Sequence, residues 1–525
     1  MLAINIAADG LFLAIQRKEE GDLSKDQCDR IVEEIIGKFL EAKPDVIMLN
    51  VCYRRALTPS EVFDSYLYDV ETDENGYAKT DEHGKSIKTV SPVSKEEVSK
   101  YFSSFLVCAR ELLEKGIDVY ETAVRKIRNA GSKVFLSIRM NDGHYTENPA
   151  INSAFALKNG GEYTIGKDGV ALDFSKKAVQ NHFLEYVEEL LNKYQVDGIE
   201  LDWLRYPTVL SEEQRGNFSV LNGYMQTVRN LLDRYDKRLG LAVRVLANER
   251  DNLYNGVDVS QWIADGNTDI VTIENFYIPT NFELPVSKWR KSIEEKNTSR
   301  YPYQLLCGTD WGVSCVQGYN IAMTPSLVRG FADACYQRGA DGIYLFNFFE
   351  ENDTSAFEFV VEEGGEARLE NCFLERLKAA REVDSFPRRY VHIGDSNRRY
   401  PILLKGGEVY EFLNPIKGSL QNATITVGCD YDEPLSISSD NGKSSLRKEK
   451  VWKGFEYIPE NKIGIENHFI YAVSQAAPYV KTAELALSAE DERIRIKNES
   501  LRDVKILWIE ISCDKKELKN ARTSD

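Results

Sequence analysis

Residues 198–203 read GIELDW, an apolar stretch of strand length that carries acidic residues at two alternate positions. Successive side chains of a β-strand point to opposite faces, so we expect Glu200 and Asp202 to share one face and the apolar side chains to share the other. The segment from Ser175 to Tyr194 precedes this strand with helical periodicity, and Ser175 is placed as its N-cap. A helix followed by a buried strand is the repeating unit of a parallel sheet.

The same alternation of short apolar runs and helical stretches extends over roughly the first 350 residues. Eight strands are predicted, at residues 2–7, 45–51, 133–139, 198–203, 240–246, 269–275, 303–309 and 342–348. Helices are predicted between them at residues 25–42, 94–131 (as two helices), 175–194, 212–235 and 325–338. Eight such units predict the α/β class and a (β/α)8 TIM barrel.

The C-terminal part of the chain has a different pattern. Helical periodicity disappears, and short segments rich in Thr, Ser, Ile, Val and Tyr alternate with turn signals. They are predicted as strands at residues 390–394, 401–406, 409–413, 423–429, 435–439, 454–459, 468–473, 483–489, 492–498 and 504–512. We therefore predict a barrel domain over residues 1–384 and an accessory β-sandwich over residues 385–525.

A long segment after the second strand interrupts the barrel pattern. Residues 58–95 are too many for an ordinary connector, and they include Asn75-Gly76 and His83-Gly84, which favour hairpin turns. We expect this insertion to form a flap over the top of the barrel.

Composition limits the partners. The 525 residues include 66 Lys and Arg against 83 Asp and Glu, a formal charge of -17, and such a surface repels phosphate backbones, so nucleic acid is not expected to bind. No run of about 18 apolar residues occurs and the N-terminus lacks a signal-peptide pattern, so we expect no membrane segment. A cytoplasmic location is expected, although a secreted chain trimmed of its signal would look the same. A homo-oligomer stays possible.

Metal and disulfide chemistry have little support in the sequence. The nine cysteines are odd in number and scattered without a CxxC spacing, which predicts buried, reduced thiols. The five histidines show no HxH or HExxH spacing. We therefore expect no metal and no cofactor.

Barrel enzymes place their reactive groups at the carboxyl ends of the strands. Asp202 ends the fourth predicted strand and Glu274 ends the sixth, so two carboxylates should face the mouth of the barrel. Hydrolysis of a glycosidic bond uses such a pair, one ionised to meet the oxocarbenium-like centre and one protonated to release the leaving oxygen.

Hydrogen-bonding and aromatic residues occupy the other strand ends. They suit a polyhydroxylated ligand, whose hydroxyl groups need donors and acceptors and whose CH faces stack on aromatic rings. The predicted substrate-binding residues are Glu200, Arg205, Tyr53, Arg54, Arg139, Asn141, His144, Arg244, Asn275, Asp310, Trp311 and Asn347. The expected partner is therefore a carbohydrate.

The segment ALDFSKKAVQNHFLEYVEELLNKYQVDGIELDWLRYP, residues 171–207, resembles the hypothetical glycoside hydrolases grouped as family-10-like barrel proteins. In that group an Asp-X-Ser segment, a helix and a VDGIxLDxxRYP strand occur in this order, and Asp202 and Arg205 match the Asp and Arg of LDxxRYP. DGIELDWL is more distantly similar to the DGxDxDxE signature of family 18 chitinases, but Leu204 occupies the position of the chitinase acid and Glu200 replaces an Asp. A nucleophile after strand four and an acid/base after strand six also resembles the clan of α-galactosidases and family 31 α-glucosidases.

The residues and the resemblance together predict a glycoside hydrolase. Asp202 would be the nucleophile or electrostatic stabiliser, held ionised by Arg205 or Arg139. Glu274 would be the acid/base, kept protonated by burial.

Three alternatives stay open at this point. Asp202 and Arg205 could form a structural ion pair, with Glu274 a loop acid. A non-catalytic carbohydrate-binding barrel would carry the same ring of polar residues. A sugar-acid lyase or isomerase would clamp a carboxylate with arginines at the strand ends. The arginines available for such a clamp are Arg54, Arg55, Arg139 and Arg205.

Overall fold

A computed structural model describes most of the chain. The described residues are 1–18, 23–91, 104–143, 151–158, 161–165, 171–235, 237–276, 280–316, 319–348, 357–361, 367–371, 373–394, 400–416, 421–440, 442–445, 447–448 and 479–513. The chain forms two compact units, residues 1–276 with 288–306 and residues 277–287 with 307–525. The predicted boundary at residues 384 and 385 stays a prediction.

Eight strands close into a barrel in which spatial order follows chain order. They are β1 (Leu2–Ile6), β2 (Val46–Cys52), β3 (Lys133–Arg139), β4 (Gly198–Asp202), β5 (Gly240–Leu246), β6 (Ile270–Glu274), β7 (Gln304–Thr309) and β8 (Gly342–Leu345). The described strand pairs from β1 to β6 are parallel. The predicted TIM barrel and all eight of its strands are confirmed.

Two glycines set the packing inside β3, β4 and β5. Phe135 pairs in register with Gly198, and Gly198 pairs with Gly240. A Cβ atom added to either glycine would lie 2.5 Å from the Phe135 ring. The ring therefore occupies the space above both glycines and forms an apolar layer.

Each further layer lies two residues along these strands. Glu200 pairs with Ser137 and Ala242, and two residues later Asp202 pairs with Arg139 and Arg244. Because strand side chains alternate, these layers share the face of Phe135. The charged layer therefore lies at the carboxyl ends of the strands.

Twelve helices are described. They are α1 (Ala8–Lys18), α2 (Lys25–Leu40), α3 (Ser104–Glu114), α4 (Val119–Asn129), α5 (Ala154–Leu157), α6 (Lys177–Lys193), α7 (Phe218–Leu232), α8 (Glu249–Tyr254), α9 (Val259–Ala264), α10 (Val286–Lys296), α11 (Pro325–Gln337) and α12 (Phe373–Ala379), with a 3₁₀ turn at Glu212–Gln214. The predicted helices are present within these bounds, except that residues 94–103 lie outside the described part of the chain.

The N-cap prediction for Ser175 is wrong. Helix α6 begins at Lys177 after Lys176, which makes no side-chain capping hydrogen bond. The backbone N–H of Ser175 donates instead to Asp173 Oδ1 at 2.9 Å. The Asp173 carboxylate organises the turn before the helix, so Ser175 lies outside the capping position.

The insertion after β2 is a β-hairpin with two tight turns. Strands at residues 68–70 and 88–90 pair antiparallel, and Gly76 and Gly84 have φ of +88° and +77°, which glycine adopts without strain. The turns thus lie where the two predicted dipeptides occur. The hairpin fold follows from local sequence.

The insertion contacts one face of helix α6. Asn181 Nδ2 donates to the Asn75 carbonyl at 3.0 Å, the N–H of Ala78 donates to Glu185 Oε2 at 2.8 Å, and Glu189 accepts from a backbone N–H of the insertion at 2.6 Å. These three helix residues are spaced four apart and therefore share one face. The described residues of the predicted flap are therefore hydrogen-bonded to one face of helix α6.

Two buried charged residues join the insertion to the segment around α5. Arg55 donates to the Asn152 carbonyl at 2.7 and 3.1 Å and to the Ser65 carbonyl at 3.0 Å. Asp64 accepts from the N–H of Phe155 at 2.9 Å and from an N–H of the hairpin at 2.7 Å. Arg55 is therefore occupied by structural contacts.

The C-terminal part forms two antiparallel sheets. The strands are β9 (Arg388–His392), β10 (Ile402–Leu404), β11 (Val409–Leu413), β12 (Gln421–Cys429), β13 (Leu435–Ser439), β14 (Lys443–Ser445), β15 (Arg447–Lys448), β16 (Tyr479–Leu487), β17 (Arg493–Asn498) and β18 (Val504–Cys513). The six-stranded sheet has the order β9-β18-β12-β16-β15 with β10 also on β18, and the four-stranded sheet has the order β11-β17-β13-β14. The all-β character is confirmed, and sandwich packing stays a prediction. The predicted strands at 454–459 and 468–473 lie outside the described residues.

Seven cysteines are buried free thiols, as predicted: Cys28, Cys52, Cys108, Cys307, Cys335, Cys429 and Cys513. Within the described ranges, no helix combines the length and apolar character needed to cross a bilayer.

His182 of α6 is buried between two aromatic rings. Its ring stacks on Phe63 of the insertion at a centroid distance of 4.5 Å and on Phe155 at 4.0 Å. Burial, with a smaller contribution from Lys158, lowers the pKa of His182 from 6.5 to about 3, against an opposing effect of the Gly76 backbone. The folded protein therefore holds this imidazole neutral.

We predict that acid destabilises the protein through His182. In the unfolded chain His182 binds a proton near pH 6.5, and in the folded chain only near pH 3. The contribution of neutral His182 to the free energy of unfolding is therefore complete above pH 6.5 and decreases as the pH falls. Between pH 7 and 4.5 the free energy of unfolding should fall by about 2–3 kcal/mol through His182. Urea unfolding of His182→Phe at several pH values should show that most of this fall is gone. His83→Gln, at an exposed histidine, should leave the pH dependence unchanged, and an unaltered slope in His182→Phe would contradict the assignment.

A second prediction concerns the glycines of the barrel interior. Gly198→Ala should destabilise the protein by about 3 kcal/mol or more, because the new methyl would lie 2.3 Å from the Gly240 carbonyl oxygen. The control is Gly223→Ala, at a helical position with open space, which should stabilise by up to about 1 kcal/mol. Equal stability of the two variants in urea titration would disprove the proposed packing.

Candidate active site

Arg244 connects the two predicted catalytic carboxylates. Its Nη1 donates to Asp202 Oδ2 at 3.0 Å, while Nε and Nη2 donate to the two oxygens of Glu274, both at 2.9 Å. Asp202 is 1% exposed, Arg244 1% and Glu274 4%. Asp202, Arg244 and Glu274 are named the Arg244 triad.

Strand register explains why these three residues meet. Asp202 pairs with Arg244, and Arg244 pairs with Thr272, two residues before Glu274. The arginine thus lies between β4 and β6, and its length lets it reach the carboxylate one layer further along β6. Because one planar guanidinium binds both groups, Asp202 Oδ2 and Glu274 Oε1 are at most about 8 Å apart.

The hydrogen bonds of the triad define the state of each carboxyl group. Glu274 accepts on both oxygens, which is the pattern of an ionised carboxylate, whereas a carboxylic acid donates from one oxygen. Asp202 also accepts on both oxygens, since Oδ1 takes the Leu204 N–H at 3.0 Å. The cation bonded to Asp202 is thus Arg244, rather than the expected Arg139 or Arg205.

Arg139 belongs to a second charged group. It pairs with Asp142, and its guanidinium carbon lies 3.9 Å from the centroid of the Tyr53 ring. Burial acts to lower the pKa of Arg139, but Tyr53 and Asp142 raise it more, so the net pKa is raised. Burial, together with Asp9, raises the pKa of Tyr53 well above its usual value. Both groups therefore keep their ordinary protonation states.

A small pocket, with about 20 Å³ of space for a water-sized molecule, lies beside this second group. It combines two arginines, polar groups and an apolar wall. The lining residues are Tyr53, Arg54, Arg139, Met140, Asn141, Asp142, Ser153, Ala156, Leu172 and Phe183. Arg54 is fixed in the wall, because it donates to the Asp142 carbonyl at 3.0 Å and to the side chain of Asn152.

Arg205 is a buried residue of the loop that follows β4. It is 9% exposed. Burial lowers the pKa of Arg205, and the nearby cations Arg139 and Arg244 lower it further, whereas Asp142 and Asp202 act in the opposite direction. The Arg205 loop packs on Gly143, where an added Cβ would lie 2.7 Å from the Tyr206 ring. Arg139, Arg205 and Arg244 are thus three buried cations near the carboxyl ends of β3, β4 and β5.

Two of the predicted binding residues are buried, and Asn141 is held by backbone contacts. Asn141 uses its amide to donate to the Leu172 carbonyl at 3.0 Å and to accept the Leu172 N–H at 2.8 Å, which fixes the short strand at residues 171–172. Glu200 is fully buried one layer below Asp202. Asn275 follows Glu274 and is half-buried.

The other predicted residues are His144 and three residues that follow β7 and β8 in the chain. His144 is outside the described residues. Asp310, Trp311 and Asn347 belong to the second compact unit, where Asp310 Oδ1 accepts the Trp311 N–H at 2.8 Å.

Two polar pocket residues lie outside the predicted set of binding residues. Asp142 follows β3 by three residues, and the rule that selects strand ends points to it. Ser153 is the N-cap of the four-residue helix α5, far from any barrel strand in sequence, and no pattern points to it.

Comparison with known proteins supplies no family. No protein-family model and no curated protein matches the chain. Among solved structures, the catalytic domain of GH30 xylanase C from Talaromyces cellulolyticus aligns at 11% identity and a TM-score of 0.37, over 96% of both chains. A GH18 chitinase from Pseudoalteromonas aurantia aligns at 11% identity and a TM-score of 0.32, over 66% of this chain and 93% of the chitinase.

A third solved structure is longer than this protein. It is the cycloisomaltooligosaccharide glucanotransferase from Paenibacillus sp., at 7% identity and a TM-score of 0.32. The alignment covers 97% of this chain and 57% of the glucanotransferase. At such identities the substrates of these enzymes do not transfer to this chain.

We predict that the Arg244 triad is a coupled unit. Arg244→Gln should cost about 3–5 kcal/mol, because two buried carboxylates lose their cation. The double variant Arg244→Gln/Glu274→Gln should lose less stability than the two single variants lose together. The difference, measured in a double-mutant cycle, should be about 0.5–3 kcal/mol. Arg234→Gln, at an exposed arginine, should change stability by less than about 0.5 kcal/mol. Additive single changes would show that the groups are independent.

Proposed function

We propose that the protein is a glycoside hydrolase that uses Asp202 and Glu274. The observation that supports this proposal is the Arg244 triad, in which one buried arginine holds both carboxylates at the carboxyl ends of the barrel strands. Burying three ionisable groups is costly, and a shared reaction centre accounts for that cost better than fold stability does.

Asp202 has the properties of the nucleophile or electrostatic stabiliser. It is ionised and fixed by the Leu204 N–H and by Arg244, so its oxygens need no reorganisation when positive charge develops at the anomeric carbon. A fixed anion at this position lowers the energy of the oxocarbenium-like transition state.

Glu274 takes the acid/base role under one condition. In the free protein it accepts from Arg244 through both oxygens, so it must release at least one of these bonds and take up a proton before it can donate to the leaving oxygen. A bound glycoside that displaces one arm of Arg244 would provide that change. The distance between Asp202 Oδ2 and Glu274 Oε1 is at most about 8 Å. This limit allows a retaining mechanism, which needs carboxyl groups about 5–5.5 Å apart, and an inverting one, which needs about 6.5 Å or more.

A second candidate function is a non-catalytic carbohydrate-binding barrel. The observation that favours it is that every carboxylate oxygen of the triad already accepts a hydrogen bond. In that case the triad would be a structural ion network. Asp202→Asn would then keep or improve sugar binding, and no glycoside would be hydrolysed.

The test is a panel of aryl glycosides of both anomeric series, assayed with the wild type, Asp202→Asn and Glu274→Gln. Each substitution should lower kcat/KM by at least about 10²-fold on the substrate that is cleaved. Glu274→Gln should lose less on a substrate with an activated leaving group, because such a group needs little protonation. The isosteric controls Asp251→Asn and Glu295→Gln, at exposed helical positions, should retain activity.

Two outcomes would overturn the assignment. If a glycoside is cleaved and neither substitution lowers the rate by more than about tenfold, the pair is wrongly assigned. If no glycoside is cleaved while Asp202→Asn still binds sugar, the binding barrel is the better description.

A further inference from the structure

We propose that the barrel interior binds a buried water molecule one layer below the Arg244 triad, held by Asn50 of β2 and Ser137 of β3. This inference goes beyond the proposed hydrolase and does not depend on it, because it concerns polar groups inside the barrel. Its basis is a pair of buried side-chain oxygens on neighbouring strands, neither of which has a hydrogen-bond partner among the described residues.

The first observation is the orientation of the Asn50 side chain. Its Nδ2 donates to the Cys52 carbonyl at 3.1 Å and to the Ser137 carbonyl at 3.3 Å. Because both carbonyls can only accept, the amide has one orientation, and its Oδ1 points away from them. Asn50 is 2% exposed, and within the described part of the chain no group donates to Oδ1. A buried amide oxygen of this kind needs a donor.

The second observation is the neighbouring hydroxyl group. Ser137 pairs in register with Asn50 and is 1% exposed, and its Oγ is also without a hydrogen-bond partner in the described ranges. A serine hydroxyl can donate and accept. In-register residues on adjacent strands lie about 4.8 Å apart, and one water joins two oxygens that are up to about 5.5 Å apart. A single water therefore satisfies both side chains.

The third observation is the size of the surrounding side chains. Ser137 and Ala242 flank Glu200 in register, and both are small, whereas the Phe135 ring fills the layer below. A buried water needs room and two or more polar partners. The small side chains favour the first condition, and Asn50 and Ser137 supply the second.

Water fits these groups better than a metal ion does. A cation such as calcium is held by several oxygen ligands. The carbonyls of Cys52 and Ser137, however, already accept from the Asn50 amide. Water forms two to four hydrogen bonds, so it can donate to Asn50 Oδ1 and pair with Ser137 Oγ in either direction.

The position of the water matters for the charges above it. Asp202 follows Glu200 by two residues on the same face of β4, about 6–7 Å further along the strand. A water dipole at this depth makes the surroundings of the buried ions more polar, which reduces the cost of burying them. The site therefore helps to explain how the three ionised groups of the Arg244 triad remain buried.

The direct test is a crystal structure of the wild type at a resolution that orders buried waters. Density should lie about 2.7–3.2 Å from both Asn50 Oδ1 and Ser137 Oγ. A direct hydrogen bond between the two side chains, or no density between them, would end the proposal. This measurement needs no variant, so it holds even if a substitution prevents folding.

The second test uses the sign of a stability change. Ser137→Ala should lower the melting temperature by about 2–4 °C, because the bound water loses a partner. If the layer is dry, the same substitution removes an unsatisfied buried hydroxyl and the melting temperature should rise, which would contradict the proposal. The control Ser219→Ala, at an exposed serine of α7, should shift the melting temperature by less than about 1 °C.

A salt comparison separates water from a cation. The wild type should melt at the same temperature in sodium, potassium and choline chloride at equal ionic strength, because a water site needs no particular ion. A stabilisation specific to sodium or potassium that Ser137→Ala removes would identify a cation site instead and refute the assignment to water.

Discussion

The interaction on which the site depends is the contact of one buried guanidinium with carboxylates from two other strands. Arg244 on β5 bonds Asp202 on β4 and Glu274 on β6, so three neighbouring strands share one charge network. Removing any member leaves buried charge without compensation, whereas replacing all three with apolar residues could leave the barrel stable. Fold stability alone does not require such a network, and a chemical role gives a reason for its presence.

The geometry of this network depends on the apolar layer beneath it. Phe135 fills the space over Gly198 and Gly240, which sets the level of β3, β4 and β5 relative to one another. Two layers above, the same register places Asp202 between Arg139 and Arg244. A shift of one residue in any of these strands would turn a charged side chain towards the helices. Packing deep in the barrel therefore positions charges at its mouth.

Sequence patterns were sufficient for the architecture and for part of the site. All eight barrel strands could be predicted, because each is a short apolar run between helical segments, and the strand-end rule found Asp202, Glu274 and Arg244. The partner of Asp202 could not be predicted, because register between strands depends on packing across the barrel. Ser175 was misplaced because Asp173, two residues earlier, captures its N–H. Ser153 reaches the pocket through tertiary contacts that no local pattern encodes.

The attachment of the insertion has a consequence for how this pocket could diversify. Arg55 and Asp64 tie the hairpin to residues 152 and 155, and the intervening Ser153, with Ala156, forms part of the pocket wall. The wall is thus shaped by a peripheral element, while the carboxylates are carried by the barrel strands. Exchanging or shortening the hairpin would reshape this wall and leave the Arg244 triad in place, so the two parts of this unit can change separately.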